Sequence, residues 1–500
     1  MGLKHYVICK NLQTTTMYKN MRTKIIFYLL ILLLLADLGY SFLQHNSQPL
    51  DGDMPSLLVP APDVQPIHDN PLGISAIINN ESYLNPNRFF CHWMFKEYMT
   101  TIPIFIQNYT DPVESVYLSG AISKTIIQLF IIILLAIAIS NTRKIFSMNF
   151  LIAAALITPL FQANGYTRFI GIIDVSTTYT FFYALPCALM ILYFLPFIME
   201  FYYNRKPLPT LFIILVWVPY ALVVSLHGAL NPGIALVFSS VVFLHYFTNN
   251  YQIAAKGSFV LKIFNTMKNM PKNYWLYLIP VSLFSVYSLY LGTYNAYSIE
   301  QQIPLSEMYK KIPLGIFNII TQKLAYLILL LILTINSILI YKNFKNQEGR
   351  KILNTLKWIG LFAVIYILLL PLGGYREYRE NIVRYDTIMP ITLGIFFIFG
   401  KTTHFLIHNI SKKQRMWYLA VVVCIAIIFT NADKPGFGKN DCEKKALYAI
   451  ASSTDDIVRI DAHCTVLSWD IIEDPIDSEI NSQLLYKWRI IDTEKLYYQQ

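Results

Sequence analysis

The stretch Ile25–Phe42, IIFYLLILLLLADLGYSF, runs for 18 residues with one charge, Asp37. At 1.5 Å per residue a helix of this length approaches the roughly 30 Å of hydrocarbon that a spanning segment must cross. Lys4, Lys10, Lys19, Arg22 and Lys24 precede it. They resemble the basic region of a signal peptide, but no small-x-small cleavage pattern follows. The stretch therefore predicts an uncleaved first membrane helix, with residues 1–24 on the cytoplasmic side.

The rest of the chain repeats this pattern. It is 55% hydrophobic and only 14% charged, against about 25% charged residues in soluble domains. Further apolar runs at 118–140, 148–163, 176–200, 210–226, 233–249, 274–291, 316–341, 357–372, 386–400 and 416–430 bring the expected number of spans to 11. The fold expected is an all-α polytopic membrane protein, with the lipid bilayer as its first partner. A net charge of +10 does not indicate nucleic acid, because the basic residues sit in short connections between apolar runs. The connections 141–147, 204–209, 250–273, 341–357 and 401–415 carry 2, 2, 4, 5 and 4 Lys/Arg. That asymmetry assigns them to the cytoplasmic side.

Two long polar segments then fall outside. Residues 44–117 contain eight acidic residues against Arg88 and Lys96, and prolines at 49, 55, 60, 62, 66 and 71 exclude one long helix. Within them, RFFCHWMFKEYMTTIPIFIQNY mixes aromatics with isolated charges, as an interfacial helix does. Residues 431–500 predict a small α/β cap, with a helix around KNDCEKKALYAIASS and a strand in DDIVRIDAHCTVLSW. If that cap is external, pairing of Cys442 with Cys464 suits an oxidising compartment. The expected domains are thus 1–24, 25–430 and 431–500. No P-loop or dinucleotide fingerprint is present, so nothing supports ATP-driven transport.

Two clusters carry candidate chemistry. Leu50-Asp51-Gly52-Asp53 follows the first helix. Two carboxylates one residue apart repel, so one should find a donor or hold its proton more tightly. A solvated Asp-Gly turn is the bland alternative. The second cluster, Gly373-Gly374-Tyr375-Arg376-Glu377-Tyr378-Arg379-Glu380 with Arg384-Tyr385-Asp386, puts arginines on the expected outer side. Their planar forks suit phosphate oxygens, unless they pair with the neighbouring acids. Arg168, His227 and Tyr375 are further candidates for substrate contact.

The layout resembles the GT-C glycosyltransferases, polytopic enzymes that use sugars linked to polyprenyl phosphate. An early acidic residue, a long first external loop and an external C-terminal domain carry the likeness. It implies an inverting enzyme that moves sugar from a lipid-phosphate donor to an acceptor, here unidentified, on the outer face of a bacterial inner membrane. Asp51 and Asp53 match the family's base or its holders of a divalent cation, and His68 with Asp69 is the candidate for a second acidic position. A polysaccharide polymerase or ligase is an alternative, although its dominant loop usually comes later in the chain. A lipid-linked-saccharide transporter is another, and would be expected to carry charges near the bilayer midplane.

Overall fold

The computed structural model describes residues 2–163, 172–251, 258–297, 303–322, 324–374 and 381–499, with side chains from residue 21 on. Helix α1, Gly2–Asn46, contains the opening apolar stretch. Among the described residues nine helices are long and apolar enough to cross a membrane, and two shorter apolar segments, Met148–Leu160 and Thr210–Ser225, accompany them. The protein is a multi-pass, predominantly α-helical membrane protein.

Between α1 and the next long helix lie α2 (Met54–Leu58), α3 (Gln65–Asp69), α4 (Ile74–Asn79) and α5 (Phe89–Ile106). Helix α6, Pro112–Ser140, is the central post. It starts cleanly because Asp111 Oδ1 accepts from the backbone N–H groups of Val113 and Glu114, at 3.0 and 3.1 Å, with Pro112 at a position that needs no donor. It stops at Asn141, whose φ of 55° is a left-handed helix end.

Helices α7 (Met148–Ile157) and α8 (Thr177–Phe201) pack on α6, as do α1 and α5. Helix α8 opens at Ser176, whose Oγ accepts from Tyr179 N at 3.1 Å. It widens into a π turn at Thr180–Ala184, just before Pro186. A proline removes one N–H and crowds the carbonyl four residues earlier, here Phe182, and a wider turn relieves both. Helix α9, Thr210–Ser225, repeats the device, with a π turn at Ile213–Trp217 ahead of Pro219.

The second half of the bundle contains α10 (Asn231–Asn250), α11 (Phe259–Lys268), α12 (Lys272–Gly292), α13 (Leu305–Gln322), α14 (Ala325–Asn343), α15 (Gln347–Leu369), α16 (Met389–Asn409) and α17 (Lys412–Ala432). Helix α16 returns against α6 and α7 and closes the core. One expected span is corrected: the run 316–341 is the end of amphipathic α13 followed by a separate membrane-length helix, α14. The basic connection 250–273 likewise contains a helix, α11, that was not anticipated.

The C-terminal region forms α18 (Asp441–Ser452), β1 (Ile457–Ile460), α19 (Glu479–Lys487) and β2 (Leu496–Gln499). The strands pair in parallel, Ile457 opposite Leu496 through Ile460 opposite Gln499. A parallel pair needs a long crossover, and residues 461–495 supply it. The expected strand in this region is therefore shorter than its alternating pattern, and its remainder is loop. Cys442 and Cys464 are bonded, with Cα atoms 6.2 Å apart. The unit is anchored to the 44–117 segment. Trp488 is fully buried and donates from Nε1 to Met99 O at 2.8 Å, and Lys487 Nζ reaches Leu58 O at 3.1 Å.

Candidate functional site

The chain leaves α1 at Asn46 and turns at once into Gln48–Asp53, which forms one wall of a cavity of about 960 Å³. Leu50 N donates to Glu443 Oε2 at 2.8 Å. Glu443 is itself buried, and accepts from Tyr117 Oη at 2.8 Å and from Leu467 N at 3.0 Å. One carboxylate thus ties the first loop, α6 and the C-terminal unit together. Burial pushes Glu443 up to about 7, against the three hydrogen bonds that favour its charged form.

Next to Leu50 lies Asp51, 4% exposed. Its Oδ2 accepts from Ser176 Oγ at 2.9 Å and from Thr178 N at 3.1 Å, and its Oδ1 from Thr178 Oγ1 at 2.6 Å. These donors form the first turn of α8, so Asp51 faces the positive end of that helix. Burial nevertheless raises its proton affinity above the ordinary carboxylate range. Hydrogen bonds from Thr178 and Ser176 oppose the shift, and the nearby Asp53 adds to it. The result is a carboxylate held rigidly at the wall of a cavity and disposed to take a proton.

Asp53 has a different environment. Its Oδ1 accepts from Trp469 Nε1 at 3.0 Å, across 416 positions of sequence. The Trp469 ring also stacks on Tyr179, 6.1 Å between centroids. Gly52 is required by this contact, because a Cβ there would lie 2.5 Å from Trp469 N. Leu467, two residues earlier, turns the chain with φ 49°. A bulky residue in that region costs on the order of 1 kcal/mol, and here the backbone is held by its bond to Glu443.

Arg88, Lys439, His92, Asp63 and Asp174 complete the polar lining. His92 is buried, and among the described residues neither ring nitrogen has a hydrogen-bond partner. Its ring meets Phe182 edge-on at 4.7 Å. Burial, with His68 and Arg88 adding to it, keeps its pKa well below that of an ordinary imidazole, so it presents one neutral donor and one acceptor. Lys124 of α6 donates to Val175 O and holds the 172–178 segment against the bundle.

The other sequence candidates fall elsewhere. His68 stands behind His92, ring centroids 6.3 Å apart, and does not line the cavity. Asp69 accepts from Gln65 within α3 at 2.7 Å. The pair belongs to a five-residue turn of helix, and neither residue lines Asp51's cavity. Arg384, a candidate phosphate grip, pairs with a neighbouring acid, as the alternative had it: its Nε and Nη2 engage both oxygens of Asp386 at 3.0 Å, and Nη1 donates to Asn381 O at 3.0 Å. Its fork is satisfied locally and is absent from the cavity lining. Arg168, Tyr375, Arg376 and Arg379 lie outside the described residues. His227 is buried and does not line the cavity, with neither ring nitrogen hydrogen-bonded among the described residues.

A divalent cation does not fit the acidic pair. Both Asp51 oxygens are engaged by donors, Asp53 accepts from an indole, and no group of three or more metal-ligating His, Cys, Asp or Glu side chains occurs among the described residues. Arg88, His92, Ser176, Thr178, Lys439 and Trp469 had not been singled out from sequence. Arg88 and His92 lay in the interfacial run, Ser176 and Thr178 in an expected span, and Lys439 and Trp469 in the expected helix and strand of the cap, each read for its structure alone. Compared with protein-family models, curated proteins and solved structures, the chain matches none.

Proposed function

We propose that the protein is a membrane glycosyltransferase of GT-C-like architecture that moves a sugar from a lipid-phosphate carrier to an acceptor at the Asp51 cavity. The observation that carries this reading is Asp51 itself, a buried carboxylate of raised proton affinity, fixed by three donors at the wall of a cavity of about 960 Å³. In the proposed step an acceptor hydroxyl or amine attacks the anomeric carbon and gives its proton to Asp51. The bond from that carbon to the phosphate oxygen breaks, and the oxygen keeps the electron pair. A single displacement of this kind inverts the anomeric centre. Arg88 and Lys439, the cations of the lining, supply charge for the departing phosphate. His92 supplies a neutral donor or acceptor to a sugar hydroxyl.

The topology that goes with this reading has 11 spans, counting the two shorter apolar helices. The N-terminus is cytoplasmic, and residues 44–117 and 431–500 lie outside a bacterial inner membrane as loop and cap. The Lys/Arg asymmetry and the Cys442–Cys464 bond support that orientation. The test uses the purified full chain in proteoliposomes with radiolabelled polyprenyl-phosphate hexoses. Transfer should occur with the parent and be lost in Asp51→Asn, with donor retained. Equal transfer by Asp51→Asn would remove the basis of the reading.

A further inference from the structure

Helix α8, which lines the Asp51 cavity with its first turns, lines a second cavity with its other end. Along α8, Thr178 holds Asp51 while Tyr202, just past its last turn, lines the second cavity. Those positions are about 36 Å apart at 1.5 Å per residue. Along α6, Leu135 and Ala138 line it, well beyond Lys124. The cavity measures about 860 Å³ and lies between α6, α8, α10, α15 and α16.

Its lining is divided along its length. The depth is apolar, with Phe194, Phe238, Val242 and Phe362 among the walls. The mouth carries Asn250, Arg350, Lys351 and Asn354. Arg350 and Lys351 sit in the early turns of α15, whose N-terminus is capped by Asn346 and carries the positive end of the helix dipole. Neighbouring cations are already engaged. Lys351 Nζ donates to Tyr202 O, Lys401 Nζ to Ile139 O, and Arg205 to Asn141. Arg350 is exposed, its backbone N–H donates to Asn346 O at 3.2 Å, and among the described residues its guanidinium makes no hydrogen bond or ion pair. Glu348 is the acid beside it in sequence and is also exposed.

An apolar slot between membrane helices with a planar cation at its rim matches a molecule with a long hydrocarbon tail and an anionic head. We propose that this cavity binds an anionic phospholipid of the membrane, with its acyl chain among the phenylalanines and its phosphate on Arg350. This site is separate from the Asp51 cavity and does not depend on the transfer reaction assigned there.

The test takes the full chain, delipidated in neutral detergent, and adds phosphatidylglycerol or phosphatidylcholine, read by native mass spectrometry and thermal unfolding. Phosphatidylglycerol should be retained and raise the melting temperature more than phosphatidylcholine does. Arg350→Gln, a change at an exposed side chain that leaves the core intact, should weaken phosphatidylglycerol about tenfold, as the loss of one charge-assisted contact does. Gly394→Leu should reduce retention of both lipids, because Gly394 lines the cavity and its added side chain would enter it, a Cβ there meeting Ile359 at an ordinary 3.4 Å. Equal retention of the two lipids, an unchanged affinity in Arg350→Gln, or preference for a polyprenyl phosphate over phosphatidylglycerol would each overturn the proposal. If Gly394→Leu does not fold, Arg350→Gln still decides.

Discussion

The two cavities share α8 as a wall and are of similar size, about 960 and 860 Å³, yet one is lined by four aspartates and the other by phenylalanines. The difference is written along the helices themselves. Helix α6 begins with Ser115, Ser119, Gly120, Ser123 and Lys124 and ends in the run Ile131–Ile139, and α8 begins with Thr177, Thr178 and Thr180 and ends in Leu185–Phe197. Hydroxyl and small residues at one end allow close backbone approach, since a Cβ at Gly120 would lie 3.1 Å from Thr177 Oγ1. They also supply the donors that keep Asp51 in place. Large apolar residues at the other end leave space that only hydrocarbon would fill favourably. Polar and charged side chains therefore collect where loops meet helix starts.

The largest effect that separates the two regions is expected from Asp51→Asn. Transfer should fall by roughly 10² to 10⁴, the usual cost of losing a general base, with phosphatidylglycerol retention at the far cavity unchanged. In the parent, the base must be ionised to act. Activity should therefore be lost as pH falls through Asp51's raised pKa, with a midpoint above the ordinary carboxylate value of about 4. A rate independent of pH between about 4 and 7 would break the assignment.

A smaller effect, about tenfold on the rate, is expected from Thr178→Val. It deletes the 2.6 Å donor to Oδ1 that favours the charged form, so the acid limb of the pH–rate profile should move to higher pH. A limb that stays in place would mean that Thr178 merely supports the turn. Gly52→Ala should act on stability instead. The added methyl group would meet Trp469 N at 2.5 Å, and the C-terminal segment must shift, at a cost of about 1–3 kcal/mol. Thermal unfolding checks this, and the lipid at the far cavity should again be unaffected. The smallest effect belongs to Arg384→Lys. The pair with Asp386 is partly exposed on the arginine side, 24%, so stability should drop by less than about 1 kcal/mol. Binding of a lipid-phosphate donor should match the parent's.

Much of the bundle was legible because spanning helices must be long and continuously apolar. The run beginning at residue 316 misled for a related reason: the apolar residues Ile316, Phe317, Ile319 and Ile320 of amphipathic α13 are separated from those of α14 by only the three polar residues Thr321, Gln322 and Lys323. Asp51 was legible from its place just past the first helix. Its partners were not, since Ser176 and Thr178 look like an ordinary helix start and lie 125 and 127 positions away. His68 and Asp69 drew attention as a dyad, but neighbours in a helical turn point in different directions. The ion pair of Arg384 with Asp386 was the bland alternative from the outset, and its short spacing favoured it.

The contact of Gly52 and Asp53 with Trp469 also sets a timetable. At roughly 5–20 residues per second of synthesis, the 416 positions between Asp53 and Trp469 take on the order of tens of seconds. For that interval the first loop stands beside its membrane without one wall of its cavity, and Glu443, which anchors Leu50 and Leu467 together, has yet to be made. A nascent chain already inserted through most of its helices is thus expected to have an incomplete Asp51 cavity. The cavity is complete only when the segment after α17 has been made and has folded back onto the first loop.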